Sequence, residues 1–272
     1  MKQIEKNGLP PSVLITGAYG GMGRDTARLL RQKGYRVFAL DLRTEPQEDG
    51  IFPVEADVTS EQSVIAAVEK VKGMTDSLDA VLHFAGIYMM DSLAEMETHS
   101  FRRILDVNLT GAFLVNKCFL PLIKKGGRIV ITTSELAPLA PLPFTGIYAV
   151  TKGALDKYAY SLRMELQLLD IKVSVLRAGA VGTDMLNVST DALDRFCRNT
   201  KHYQCNADRF KCIVCGVEAR HVSPERVAKK ALEILGKSNP KFAYTLNRNP
   251  LLLLLNALPS RLQFFIIKTV LK

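Results

Sequence analysis

The chain predicts a doubly wound α/β fold of the Rossmann type, a parallel sheet covered by helices on both faces. Two observations carry that expectation. Short β-branched runs alternate with longer helical patterns over roughly the first 180 residues, the signature of βαβ units. A glycine-rich turn, Thr16-Gly-Ala-Tyr-Gly-Gly-Met-Gly23, stands between the first such run and the first helical pattern. That is where a dinucleotide-binding fold places its phosphate turn.

The elements follow in order. Ser12–Ile15 reads as the first strand, and a helix runs from Met22 to Lys33 with Gly34 closing it. Arg36–Asp41 and Phe52–Glu55 read as the next two strands. Asp57-Val-Thr-Ser60 then starts a helix in which Val64, Ala67, Val68 and Val71 recur at helical spacing. Leu78–Phe84 is a fourth strand, and His99–Leu120 a long helix ending before Pro121. Gly127–Thr132, the helix Tyr148–Leu169 and the strand Lys172–Leu176 complete the regular part. From Asp184 to His221 the rhythm lapses. Ser223-Pro-Glu-Arg226 then opens another helix, and Phe242–Thr245 reads as a last strand. The expectation is one domain over residues 1–272, with a core at about 12–246, an insertion at about 184–221 and an apolar tail at about 247–272.

Composition narrows the function classes. A chain of 272 residues with 47% hydrophobic content can bury one substantial core. The net charge of +9 is spread along the chain without basic runs interleaved with aromatics, which disfavours nucleic acid as a partner. The five cysteines are odd in number and crowd late, unlike a secreted disulfide framework. Met1–Pro10 contains no apolar stretch of signal-peptide length, so a cytoplasmic location is expected.

Three features bear on chemistry. Glycines in the turn allow close backbone approach, and a helix N-terminus offers N–H groups and positive dipole character to a pyrophosphate. Asp41 ends the second strand, eighteen residues past Gly23. A carboxylate there can accept hydrogen bonds from an adenosine ribose and repel a 2′-phosphate. With Gly20 rather than a basic residue before Gly21, NAD(H) is favoured over NADP(H), although Arg43 could soften the preference. Tyr148 and Lys152 stand four apart, on one helical face, fourteen residues after Ser134. A cation beside a phenol favours its ionised form and makes it a usable acid/base.

Taken in this order, the motifs resemble the short-chain dehydrogenase/reductase family from about Ser12 to Leu235. They are Thr16-Gly17-xxx-Gly21-x-Gly23, Asp57-Val58, Ala85-Gly86, Asn108 in Val-Asn-Leu-Thr-Gly111, Ser134 and Tyr148-xxx-Lys152. The resemblance implies Tyr148 as general acid/base, with Lys152 lowering its pKa and bonding the nicotinamide ribose. It implies Ser134 as the group orienting the substrate oxygen, and Asn108 as a break in its helix that holds a relay water. Gly17, Tyr19, Gly21, Met22, Gly23, Asp41, Asp57, Val58, Ala85, Gly86, Gly179 and Thr183 would then face the cofactor, together with Tyr148 and Lys152.

The chain departs from the family pattern at three places. His83-Phe84 replaces the first two residues of Asn-Asn-Ala-Gly. Arg177-Ala178-Gly179 replaces the usual Pro-Gly, and Ser134 stands one residue further from the tyrosine than is usual.

The remaining signals are weaker. Cys212-Ile-Val-Cys215 has ligand spacing, but no second such pair answers it, so no metal is expected and the pair reads as small hydrophobes on a buried face. Met89 and Met90 read as packing residues or a flexible pocket wall. In the tail, Leu262, Phe265, Ile266, Thr269 and Val270 share one helix face with Arg261, Lys268 and Lys272 at its edges. That face suits packing on the domain or on a second subunit, and it also suits peripheral attachment to a membrane.

The expected activity is interconversion of a secondary alcohol and a ketone on a small lipophilic substrate. Leu136, Pro138, Leu139 and the insertion from Met185 onward are expected near that substrate. The long insertion and apolar tail are similar to family members that act on hydroxysteroids. A 3-oxoacyl or sugar-type reductase is the alternative, and a non-catalytic dinucleotide-binding regulator is a third reading. The family's habit of pairing its long helices implies a homodimer or homotetramer.

Overall fold

Among the described residues, seven strands pair in parallel in the order β3-β2-β1-β4-β5-β6-β7. They are β1 (Ser12–Thr16), β2 (Arg36–Asp41), β3 (Ile51–Glu55), β4 (Leu78–His83), β5 (Ile123–Ser134), β6 (Lys172–Ala178) and β7 (Ala243–Leu246). The computed structural model describes residues 10–217 and 221–272, without the side chains of 184–190 and 215–217. The helices are α1 (Gly21–Gln32), α2 (Glu61–Lys72), α3 (Thr98–Leu105), α4 (Gly111–Phe119), α5 (Gly146–Leu166), α6 (Asp184–Asn199), α7 (Gln204–Val217), α8 (Pro224–Gly236), α9 (Pro250–Ala257) and α10 (Ser260–Leu271).

The alternation of side chains along a strand builds two cores, one on each sheet face. Leu14, Phe38 and Ile129 point to the side covered by α2, α4 and α5. Val13, Ile15 and Val37 point to the side covered by α1 and α8. Leu14, Ile15 and Phe38 are fully buried, and burial of each such side chain stabilises the fold by about 1.5–3 kcal/mol. A third, smaller cluster joins Met90, Leu193, Phe210 and Leu271 outside the sheet.

Local chemistry explains the element ends. Gly34, at φ +84°, lets the Tyr35 and Gly34 N–H groups return to the Leu30 and Arg31 carbonyls and close α1. Ser60 accepts from the Ser63 N–H to start α2. Asn249 caps α9 through the N–H groups of Leu251 and Leu252.

Three sequence expectations change. The long helix His99–Leu120 is three segments, with a π-helical turn at Asp106–Thr110 between α3 and α4. Pro121 lies inside a 3-10 turn, Leu120–Leu122, because its fixed φ and missing N–H suit a first turn. The fifth strand starts earlier, at Ile123, because an irregularity with Gly126 at φ +79° separates the Ile123 pairing from the regular ladder. The described residues of the insertion form two helices, α6 and α7, and no strand.

Candidate active site

The carboxyl ends of β1, β2, β4, β5 and β6 carry Thr16, Asp41, His83, Ser134 and Ala178 to one edge of the sheet. The strand order reverses direction at β1, so a crevice opens there beside β4.

Alternation on β5 separates two neighbouring hydroxyls. Thr133 turns to Asp156 of α5, with 3.3 Å between Oγ1 and Oδ1. Ser134 lies beside the Tyr148 phenol, where its hydroxyl favours the ionised form. Its Oγ accepts from the Leu136 N–H at 3.2 Å, which leaves its own O–H available to donate. Lys152, one helical turn along α5, is buried. Its Nζ donates to the Thr132 carbonyl at 3.3 Å and lies 5.7 Å from the centre of the Tyr148 ring.

Asn108 sits in the π-helical turn, where the wider winding aims its side chain inward. Its Oδ1 accepts from the Ile87 N–H at 2.8 Å, and its Nδ2 donates to the Ile87 carbonyl at 2.9 Å and to Thr151 Oγ1 at 3.1 Å. The amide therefore clamps the segment after β4 against α5. A Cβ on Gly86 would stand 3.2 Å from Asn108 Oδ1 and 3.4 Å from Lys152 Nζ, so glycine keeps the three elements in contact.

Burial dominates the electrostatics. It raises the Tyr148 phenol above its ordinary value, Tyr88 adds to the rise, and the Ser134 hydrogen bond opposes it. Burial also brings the Lys152 ammonium down to about 8. Lys152 is thus still a cation at neutral pH, but the protein places it close to its titration range. Desolvation therefore raises the phenol, against the lowering by Lys152 that the sequence led us to expect.

The predicted nucleotide residues converge on the same edge. Gly17 has φ +64°, and a Cβ there would come within 2.6 Å of the Ala85 nitrogen. A Cβ on Gly23 would lie 2.0 Å from the Gly17 carbonyl oxygen, and one on Gly21 would lie 2.6 Å from Thr183 Cγ2. Gly20 caps α1 without a side chain, so the first-turn N–H groups face the crevice. Asp41 accepts from the Tyr19 and Leu42 N–H groups at 2.9 and 2.8 Å, which fixes its carboxylate beside the turn. Asp57 Oδ1 accepts from Thr59, and Val58 packs on Gly111 at the start of α4. Gly179 is pressed against the Asn247 carbonyl. Met22 and Thr183 reach the cavity described next. This cradle, too tight for side chains and presenting backbone N–H groups, fits a dinucleotide pyrophosphate.

A cavity of about 890 Å³ opens above Ser134, Tyr148 and Lys152. Leu136 lines it as expected, whereas Leu142, Pro143 and Thr145 take the places expected of Pro138 and Leu139. Met90 is a buried part of its wall. Met185 has its side chain outside the described residues, but Phe210, Ile213 and Val214 of α7 bring the insertion to the cavity.

Sequence reasoning missed Tyr88, whose ring centre is 4.8 Å from that of Tyr148, and Glu135, whose Oε2 accepts from the Asn249 N–H at 2.7 Å. It also missed that α9 and α10 roof the cavity through Leu252, Leu255, Ile266 and Ile267. Asn256 Oδ1 accepts from the Ala140 N–H at 2.7 Å, a second tie between α9 and the loop after β5. Phe144, at φ +65°, is held in the left-handed region by ring contacts with Phe196, Tyr203 and Phe210.

Two surface expectations are corrected. Cys212 is exposed rather than buried, and the Cys215 side chain lies outside the described residues. The tail face is also rotated. Gln263 and Leu271 are buried and Ile267 packs inward, whereas Leu262 and Phe265 are exposed, because α10 docks on α7 through the cluster around Leu271.

The departures from the family pattern have structural partners. His83 Nε2 and Asn116 Oδ1 are 2.8 Å apart, and Asn116 Nδ2 donates to the Tyr158 hydroxyl at 3.2 Å. Arg177 makes a two-pronged bond to Asp156, at 2.9 and 2.7 Å, and so locks β6 to α5.

The family model for short chain dehydrogenases matches residues 11–194, and the chain belongs to that family. It is therefore an NAD(P)-binding oxidoreductase acting on CH–OH groups. It is 26% identical over 233 residues to a 3-ketodihydrosphingosine reductase of Bacteroides thetaiotaomicron, covering 80% of this chain and 87% of that protein. To the human 17-beta-hydroxysteroid dehydrogenase type 6 it is 34% identical over 200 residues, 70% of this chain and 62% of the relative's length. A short chain dehydrogenase family protein from Francisella tularensis shares the fold, with a TM-score of 0.73 at 22% identity over 87% of this chain and 97% of that one.

Proposed function

We propose that the chain is an NAD(H)-dependent dehydrogenase and ketone reductase that interconverts a secondary alcohol and a ketone on a lipophilic substrate of hydroxysteroid bulk. The observation that carries this reading is the meeting of Ser134, Tyr148 and Lys152 at the floor of an apolar cavity of about 890 Å³. The volume falls in the range of sites that enclose a small-molecule ligand. Two relatives whose names denote a sphingoid ketone and a hydroxysteroid support a lipid-like substrate.

The nicotinamide, when bound, supplies or accepts the hydride. Tyr148 gives a proton to the carbonyl oxygen in reduction and takes it back in oxidation. Ser134 donates to that oxygen as its charge develops. Lys152, cationic at neutral pH, stabilises the phenolate left on Tyr148, and Asn108 holds the strand end and helix in register for the transfer. Gly17, Gly21, Gly23 and the start of α1 would hold the pyrophosphate, with Ala85, Gly86, Gly179 and Thr183 along the nicotinamide half and Asp57 and Val58 along the adenine half. Asp41, oriented by two backbone N–H groups, keeps acceptor capacity for ribose hydroxyls and disfavours a 2′-phosphate. Exposed Phe113, Val150, Tyr160 and Met164 on α4 and α5 support pairing of two copies through these helices.

The test is a panel of hydroxysteroids and ketosteroids, 3-oxoacyl thioesters and sugars, each with NAD(H) and NADP(H), read at the nicotinamide absorbance. Turnover of a steroid with NADH at ten times or more the kcat/KM of every other pairing is expected. Preference for a thioester or a sugar, or for NADPH, overturns the corresponding part.

A further inference from the structure

The outer surface of α9 and α10 has no role in the reaction, and its composition is unusual. Leu251, Leu254, Phe264, Phe265 and Val270 are each more than half exposed, far more apolar surface than two helices leave in water without a partner. Arg261, Phe265, Lys268 and Lys272 recur at i, i+4, i+7 and i+11 on α10, a spacing that sets three cations and a phenylalanine on one outward row. Between Phe242 and Lys272 there is no Asp or Glu. The patch is continuous with the cavity, because Leu251 and Val270 line the cavity and are also exposed at 62% and 51%.

We propose that the outer face of α9–α10 docks on an anionic lipid surface, lying in its interface with the cavity mouth turned toward the bilayer. Water accommodates the cations but not Phe264, Phe265 and the leucines. A headgroup layer accommodates both, since long basic side chains reach lipid phosphates while the rings enter the acyl boundary. A second copy of the chain fits less well: face-to-face packing would bring Arg261, Lys268 and Lys272 against their own kind with no acidic partner. Among the described residues no helix is long and apolar enough to cross a membrane, so the contact is peripheral. The proposal stands apart from the reaction assigned above, because it is read without turnover.

The test is sedimentation of the full-length protein with vesicles of phosphatidylcholine alone or with one third phosphatidylglycerol. Wild type is expected to partition onto the anionic vesicles at least tenfold better than onto neutral ones, and to be released by high salt. Arg261→Gln/Lys268→Gln/Lys272→Gln should weaken binding roughly a hundredfold. Phe264→Ser/Phe265→Ser should weaken it at least tenfold while nucleotide binding and circular dichroism match wild type. If either variant loses that match, Leu254→Ser, on the other helix, replaces it. Wild type remaining in the supernatant overturns the proposal, as do folded variants that sediment like wild type. Light scattering that finds a dimer abolished by Phe264→Ser/Phe265→Ser, without vesicle binding, assigns the face to a second copy instead.

Discussion

The cavity has a floor and a roof built on opposite principles. The floor is the edge of the parallel sheet, where buried polar side chains are each held by hydrogen bonds: Asn108 to Ile87 and Thr151, Lys152 to Thr132, Arg177 to Asp156. The roof is α7, α9 and α10, which meet the cavity through Leu, Ile, Val and Phe, with few directional ties. Directional bonds hold atoms to fractions of an ångström, as proton transfer needs, whereas apolar contact tolerates exchange of one shape for another. The floor suits a fixed reaction and the roof a variable substrate.

The comparison can be broken at its strongest point first. Tyr148→Phe is expected to lower kcat roughly a thousandfold, about 4 kcal/mol, with NADH affinity nearly unchanged by fluorescence titration. Retained turnover would remove Tyr148 from the mechanism and leave the floor a mere support. Next, Asp156→Ala strands the largely buried Arg177 guanidinium and should cost about 3–5 kcal/mol in urea unfolding. A loss under 1 kcal/mol would mean that the bonds beneath the floor are ornamental.

His83 sharpens the same point through pH. Burial lowers its pKa to about 4, against an ordinary 6.5, while the bond to Asn116 pulls weakly the other way. The unfolded chain therefore takes up the proton first as the medium acidifies. Stability from this group is complete above pH 6.5 and is lost as pH falls through 6.5 toward 4, by about 3 kcal/mol. His83→Asn should flatten that part of the profile; an unchanged slope in the variant would trace acid lability elsewhere. The smallest effect belongs to the roof. Ile267→Ala should raise KM for a steroid-sized ketone about tenfold, 1–2 kcal/mol of lost contact, and leave kcat for a small ketone within a factor of two. A large fall in kcat for both would mean that the roof also aligns the floor.

The floor was legible in the sequence because its constraints are local. A tight turn demands glycine, and a cation reaches a phenol on the same helix face only at a spacing such as four, so Gly17, Gly23, Tyr148 and Lys152 announce themselves by residue type and separation. Strand ends were misjudged by one or two residues, since the ladder and not the composition decides where Ala178 or Ser134 stops pairing. The roof was not legible. A run such as Leu251–Leu255 reads apolar on every side, and which face turns inward depends on where α10 meets α7, a contact between segments some fifty residues apart in the chain. Tyr88 and Glu135 carry no motif at all. Their positions follow from the route of the chain after β4 and β5.

Glu135 ties the two halves together. Its carboxylate receives the Asn249 N–H at the start of α9, and it is the residue next to Ser134. A bulky molecule that entered by displacing α9 would have to break that bond, so the carboxylate beside Ser134 carries part of the roof's attachment to the sheet.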